Sequence, residues 1–238
     1  MKIKRKLQQI IVYTVLSLFS VAVLYPLFWI GINSLKTNNE FYKNTFSLPG
    51  SLKWNNYVAA WKEGVGAYYL NSILVTGISV IAILLVSTMT AYLITRFEFK
   101  CKKIIIAFLI GGMFVSPQTA IIPLYNLLHG MRLYNTYFSM IIPIVAFRLS
   151  FSFFMLYPAF KEFPKELEEA AELDGCGKLR FYWSVLIPVC KPAVIAVALL
   201  NLVYAWNEFT FSINFVMSTF IRYRSESCHS HRHYIQTG

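Results

Sequence analysis

Charge is what this chain has least of. Asp, Glu, Lys and Arg make up only 14% of its 238 residues, against about 25% in an average soluble domain. Beside a hydrophobic share of 57%, that deficit argues against a soluble globular domain and for a chain that crosses a membrane several times. Acidic residues are the scarcer sign, 11 against 22 basic ones. The first four long apolar stretches hold no Asp or Glu at all. This counts against an ion-coupled secondary transporter, which would need intramembrane carboxylates or repeat-built ion sites. It also counts against a membrane enzyme, which would need a convergent His/Asp/Glu cluster.

Other absences narrow the field further. Cys101, Cys176, Cys190 and Cys228 show no C-x-x-C spacing, so a redox or zinc motif of that kind is excluded. The first three fall in segments placed on the cytoplasmic side, where thiols stay reduced. Gly175-Cys176-Gly177-Lys178 is not a phosphate loop: a Walker A motif needs Gly at 172 and Ser or Thr at 179, and these are Glu172 and Leu179. The chain therefore carries no ATP site in its sequence, and any energy comes from a partner. A net charge of +11 could speak for nucleic acid, but the basic residues lie in short runs between apolar stretches rather than on one clustered face.

What is present is a set of apolar runs. A helix needs about 20 apolar residues to cross about 30 Å of hydrocarbon. Ile10–Gly31, Tyr69–Ile94, Ile104–Leu128 and Tyr137–Phe160 meet that length, and Val189–Trp206 is a fifth candidate with Lys191 near its start. The first run is longer than a signal-peptide core and lacks a small-x-small cleavage site, so it reads as an uncleaved span. Lys2, Lys4, Arg5 and Lys6 precede it. Arg96, Lys100, Lys102 and Lys103 crowd the link between spans two and three. Lys161, Lys165, Lys178, Arg180 and Lys191 lie between spans four and five, whereas Arg132 alone lies between three and four. This alternation places the N-terminus in the cytoplasm. Lys36–Ala67 becomes an external loop, with Trp54, Trp61, Tyr68 and Tyr69 suited to an interface.

Between the last two spans sits a charged insert, Phe163–Asp174, too short and too polar to span. Pro164 suits a first helical turn, and Glu166, Glu168 and Glu169 complement the positive end of a helix dipole. Gly175 suits a helix stop that needs positive φ. Leu167, Ala170, Ala171 and Asp174 fall at i, i+3, i+4 and i+7, one shallow face flanked by Glu169 and Glu172. Surface helices that bind headgroups carry Lys and Arg; this one opposes five acidic residues with Lys165 alone. Protein docking is the better reading. A second apolar-rich segment follows with Phe181, Tyr182, Val185 and Leu186, and Pro188 and Pro192 redirect the chain into span five.

These residues resemble a known family, the permease subunits of binding-protein-dependent ABC importers. Glu169-Ala170-Ala171-x-x-x-Gly175, with Ile187-Pro188 downstream, is similar to their EAA loop. The fuller pattern from Pro164 through Glu166-Leu167 to Asp174-Gly175 resembles the carbohydrate-uptake, maltose-permease-like branch. Asn71-Ser72-Ile73-Leu74-Val75-Thr76, Ala91-Tyr92-Leu93 before Arg96, Ile122-Pro123-Leu124-Tyr125, Leu133-Tyr134-Asn135-Thr136 and Trp206-Asn207-Glu208-Phe209 match in order and spacing.

The resemblance implies an all-α polytopic transmembrane bundle. It has an N-terminal span and external loop at 1–66, and a permease core at 67–217 with the EAA loop at 161–190. It implies that Glu169, Ala170, Ala171, Asp174, Gly175 and Pro188 couple to an ATPase, with no catalytic residue, metal or cofactor. The implied partners are an ATP-binding subunit dimer, a second permease subunit and an extracytoplasmic sugar-binding protein, at a bacterial or archaeal cell membrane. The solute stays open between a sugar and another class, such as a phosphorylated polyol or a peptide.

Some features fall outside that pattern. Arg148 lies in the middle of span four, where an arginine is costly and defaults to a substrate-path or pairing role. Cys228-His229-x-His231-x-His233 has metal-ligand residue types but no evident supporting shell. From about 218 onward the sequence resembles nothing in the family, which has a sixth span. The expectation is a premature end, a frameshift near 218–220, leaving 218–238 as an aberrant polar tail on a chain that assembles poorly.

Overall fold

The extended apolar runs become helices because a helix alone satisfies every backbone N–H and C=O within one segment, as hydrocarbon requires. The structure, a computed structural model, describes residues 2–215, and among these there is no strand. Two units divide the chain, Met1–Tyr69 and Leu70–Gly238. The tail from 218, with Cys228, His229, His231 and His233, lies outside the described residues.

In the first unit, α1 (Lys2–Ser34) is 33 residues long, roughly 50 Å of helix. The segment expected as an external loop has structure of its own. Thr37 and Glu40 form a reciprocal capping box at the start of α2 (Asn38–Lys43), satisfying two orphan amide donors. Hydrogen bonds from Thr37 hold the Glu40 carboxyl below the usual glutamate value. Lys36 is buried and gives its ammonium protons to the carbonyls of Asn44 and Thr45 at 3.2 and 3.0 Å. The Asn56 amide donates to the carbonyls of Ser34 and Lys36, tying α3 (Asn55–Ala60) to the end of α1. A wider, π-helical turn at Trp61–Val65 follows. It is broken by Gly64 at φ +118°, a conformation that favours glycine.

In the second unit, α4 (Gly66–Arg96) continues past Tyr69 and α5 (Lys102–Met113) returns. The third apolar stretch is not one continuous helix. α5 stops at Met113 and α6 (Ile121–Gly130) begins after a break at 114–120. Pro117 cannot donate a helical hydrogen bond, and Gly111-Gly112 just before the break weakens the helix it leaves.

α7 (Phe138–Lys161) is the hub, packed against α5 and against α11 (Lys191–Trp206). A side chain at Gly112 would meet Ser150 Oγ at 2.8 Å, so glycine is what lets α5 approach α7 this closely. After α7 come α8 (Lys165–Leu173), α9 (Lys178–Phe181), a π-helical stretch at Tyr182–Leu186 and α10 (Ile187–Val189). The run Lys178–Val189 meets α11 at a bend of 80°, placed where Pro188 and Pro192 withhold backbone donors. α12 (Thr210–Phe215) closes the described chain against α7 and α6.

Gln8–Ser34, Tyr68–Arg96 and Phe138–Lys161 are long and apolar enough to cross a membrane, and the bent pair makes a fourth if it is one span. The apolar core forms two clusters. One holds Val75, Ile83, Leu128, Ile144 and Phe211. The other, which carries the charged insert, holds Tyr92, Phe160, Phe163, Phe181, Tyr182 and Leu186.

Candidate functional site

The insert folds as α8, nine residues, and its ends follow from their own chemistry. Pro164 stands just before the first turn, and Glu166 and Glu168 lie in that turn. At the other end Gly175 has φ +72°. Its N–H donates to the Glu172 carbonyl at 3.0 Å, and Cys176 N–H donates to the Ala171 carbonyl at 2.9 Å. This is a Schellman stop, which satisfies two carbonyls that the last turn would leave free. Asp174 is the C-cap and its N–H reaches the Ala170 carbonyl at 3.0 Å.

The two faces of α8 differ from the expected one. Glu169 and Ala170 are exposed, with Glu166 beside them, and Leu173 is 90% exposed. Ala171, expected on the same open face as Ala170, instead packs partly buried against the core cluster. Adjacent helical residues are about 100° apart, and the bundle approaches from the Ala171 side. Pro188 is exposed in α10, just before the bend.

The inward face of α8 carries a contact that composition alone does not announce. Glu168 makes an ion pair with Arg96, the last residue of α4, at 3.2 Å, with the two side chains 17% and 6% exposed. The same guanidinium donates to the carbonyls of Phe160 and Phe163, both at 3.2 Å, and lies 5.3 Å from the centre of the Phe163 ring. Removing one member of a buried pair of this kind costs about 3–5 kcal/mol, because it strands the other charge. Glu168 is three residues before Ala171 and shares its side of the helix, but the sequence does not say that this side faces the bundle.

The loop after α8 is anchored too. Glu172 pairs with Lys178 at the surface. The Lys178 carbonyl accepts from Tyr92 Oη at 3.2 Å, and the buried Tyr182 hydroxyl shares a 2.6 Å hydrogen bond with Thr88.

Arg148 sits apart from α8, on α7. Its Nε donates to Asn201 Oδ1 on α11 at 2.7 Å. Its guanidinium carbon lies 4.1 Å from the centre of the Phe151 ring and 4.5 Å from that of Tyr204. Asn201 is fully buried, and its Nδ2 donates to Ser152 Oγ and the Val197 carbonyl, each at 2.8 Å. Aromatic faces and an amide oxygen, rather than a carboxylate, hold this charge. Cys101, Cys176 and Cys190 are free thiols.

Residues 83–226 match the model of a family described as binding-protein-dependent transport system inner membrane component. The chain is 35% identical over 205 residues to a probable ABC transporter permease protein, YurM, of Bacillus subtilis, covering 86% of this chain and 68% of that one. It is 36% identical over 198 residues to the diacetylchitobiose uptake system permease protein NgcG of Streptomyces coelicolor, covering 83% and 66%. With the probable starch degradation products transport system permease protein AmyC of Thermoanaerobacterium thermosulfurigenes it shares 34% over 185 residues, 77% and 67% of the two chains. The chain thus spans about two thirds of the length of these relatives. Among solved structures, its fold resembles a chain of a bacterial ABC transporter that imports the acidic polysaccharide alginate. That likeness has a TM-score of 0.77 at 22% identity, over 89% of this chain and 75% of that one. On the family model and these relatives together, the chain belongs to the inner-membrane permease components of binding-protein-dependent ABC transport systems.

Proposed function

We propose that this chain is the membrane-spanning permease subunit of an ATP-driven, binding-protein-dependent sugar importer. The observation that carries the reading is α8: a short acidic helix with Glu166, Glu169, Ala170 and Leu173 exposed on one side and a bundle contact on the other. A face that mixes carboxylates with a 90% exposed leucine suits a protein partner better than anionic headgroups.

In this reading an ATP-binding subunit dimer grips Glu169, Ala170, Asp174 and Gly175, while Ala171, expected among them, backs the helix against the bundle. Nucleotide-driven closure then shifts the helices between outward- and inward-facing states. Hydrolysis takes place in that partner, and the present chain is not an enzyme. Pro188 acts at a distance, by setting the turn that returns the chain to α11. A second permease subunit completes the pore, and an extracytoplasmic binding protein delivers the solute. The N-terminus lies in the cytoplasm of a bacterial or archaeal cell, with residues 1–66 as a separate N-terminal portion and 67–217 as the core. Sugar is favoured as the solute by the names of the relatives; a phosphorylated polyol or a peptide is the alternative. Arg148 borders the solute path, offering aromatic faces and a cationic edge in the middle of a span.

Deleting Glu169–Gly175 tests the central point. The expected result is a permease that still reaches the membrane but no longer co-purifies with its ATPase. Retention of the ATPase would overturn the reading, as would uptake that persists with an ion gradient alone.

A further inference from the structure

Resting on the reading that α8 receives force from the ATPase, we propose that Arg96 is a positioning residue. It pins α8 to the ends of α4 and α7, so that the three move as one body. Among the described residues, no helix forms an extended packing seam along α8. Its attachment is instead local: Ala171 against the core, Glu168 on Arg96, and at the surface Glu172 on Lys178 of α9.

Arg96 is the junction of three elements. It ends α4, its terminal nitrogen takes the carbonyl of Phe160 in the last turn of α7, and it also takes the carbonyl of Phe163 in the link to α8. Its other terminal nitrogen holds Glu168 within α8. A guanidinium is suited to this because its donors leave a rigid plane in fixed directions, whereas an ammonium rotates on a flexible stem. The pair is shielded from water, so its attraction is little screened. Glu168 also points away from the side that carries Glu169, Ala170 and Leu173. One short helix therefore has a docking face and, opposite it, a tether.

Without the pin, α8 would stay docked while its displacement was spent in the link at 162–164 rather than in α4. The assembled importer, reconstituted with its ATPase, tests this by the distance between spin labels at Glu98→Cys and Lys165→Cys. The native cysteines are replaced by serine. Distances are measured without nucleotide and in the vanadate-trapped state. In the parent protein the distance is expected to stay the same in both states. In Arg96→Gln and Glu168→Gln it should change between states by more than the ~2 Å typical of helix shifts at interfaces, with the ATPase still co-purifying. Arg96→Lys, which keeps the charge and protects against a folding failure, should give a smaller change.

A parent distance that itself changes would overturn the pin, as would variants that keep the parent distance, or variants that lose the ATPase. Failure of the underlying reading looks different: deletion of Glu169–Gly175 would leave the ATPase bound, whatever the labels report.

Discussion

Asn201→Leu is the sharpest test of how the bundle is held. The change preserves size roughly but removes both ends of an amide that is fully buried. It deletes two interhelical hydrogen bonds, Arg148 Nε to Oδ1 at 2.7 Å and Nδ2 to Ser152 Oγ at 2.8 Å. Bonds between membrane helices contribute about 0.6 kcal/mol on average and about 1.7 at most, so the loss is about 1–3 kcal/mol. The substitution also leaves half-buried Arg148 with its rings alone, and an unpaired donor there adds to the cost. Arg148→Met in the same protein removes the charge that would be stranded. The double variant should therefore be less destabilised than the two single changes added together, by about 0.6–1.7 kcal/mol. Thermal unfolding in detergent micelles, followed by circular dichroism, reads the difference. If the two single shifts simply add, Arg148 and Asn201 are not coupled and the clamp between α7 and α11 is refuted.

Two glycines separate close packing from helix propensity. Gly112→Val should drive α5 off Ser150 and cost about 1–3 kcal/mol, because even a methyl group there lies 2.8 Å from Oγ. Gly111→Ala, with nothing within 4 Å, should be neutral or gain about 0.5–1 kcal/mol; the same unfolding measurement compares them, and equal losses would refute the packing account. At the end of α8, Gly175→Ala meets open space but must hold φ near +72°, at about 1–2 kcal/mol. It should weaken ATPase binding about tenfold, the equivalent of ~1.4 kcal/mol, while Gly175→Asn should weaken it less. Titration of the detergent-solubilised permease with the ATPase subunit checks the order, and identical affinities would remove any role for the Schellman stop.

What the sequence discloses here is local, and what it conceals is separated along the chain. Gly175 announces its positive φ because a helix stop uses only neighbouring residues. Pro188 and Pro192 announce the bend for the same reason. Gly111, Gly112 and Pro117 mark the break after α5 locally, whereas apolar length alone makes Ile104–Leu128 read as one span. The opposed environments of Ala170 and Ala171 were not legible, since periodicity places residues on a helix without saying from which side the bundle comes. Arg148 stood out as a charge within a span, yet its partner Asn201 is 53 positions away. Asn201 looks in sequence like any polar residue in an apolar run. Lys36 shows the same limit: its acceptors are backbone carbonyls, which no side-chain pattern reveals.

Among the described residues of the second unit, Arg96 and Arg148 are held in different ways, and the difference bears on how the protein moves. Arg148, in mid-span, is held by an amide and two rings. That arrangement needs no counter-charge and leaves nothing for a distant event to neutralise. Arg96, at the end of α4, is held by a carboxylate that belongs to α8. Because the first four apolar stretches contain no Asp or Glu, the acid for Arg96 has to come from outside them, and α8 supplies it. The charge pattern of α8 therefore does two jobs. Glu166 and Glu169 leave the outer side polar and exposed, and Glu168 ties the inner side to Arg96. A helix of nine residues is too short to be stable alone, so its orientation depends on its tertiary contacts, of which the Glu168–Arg96 pair is the most shielded. Neutralising Glu168 should therefore disturb coupling more than neutralising Glu166, although the two lie one turn apart at most and look alike in the sequence.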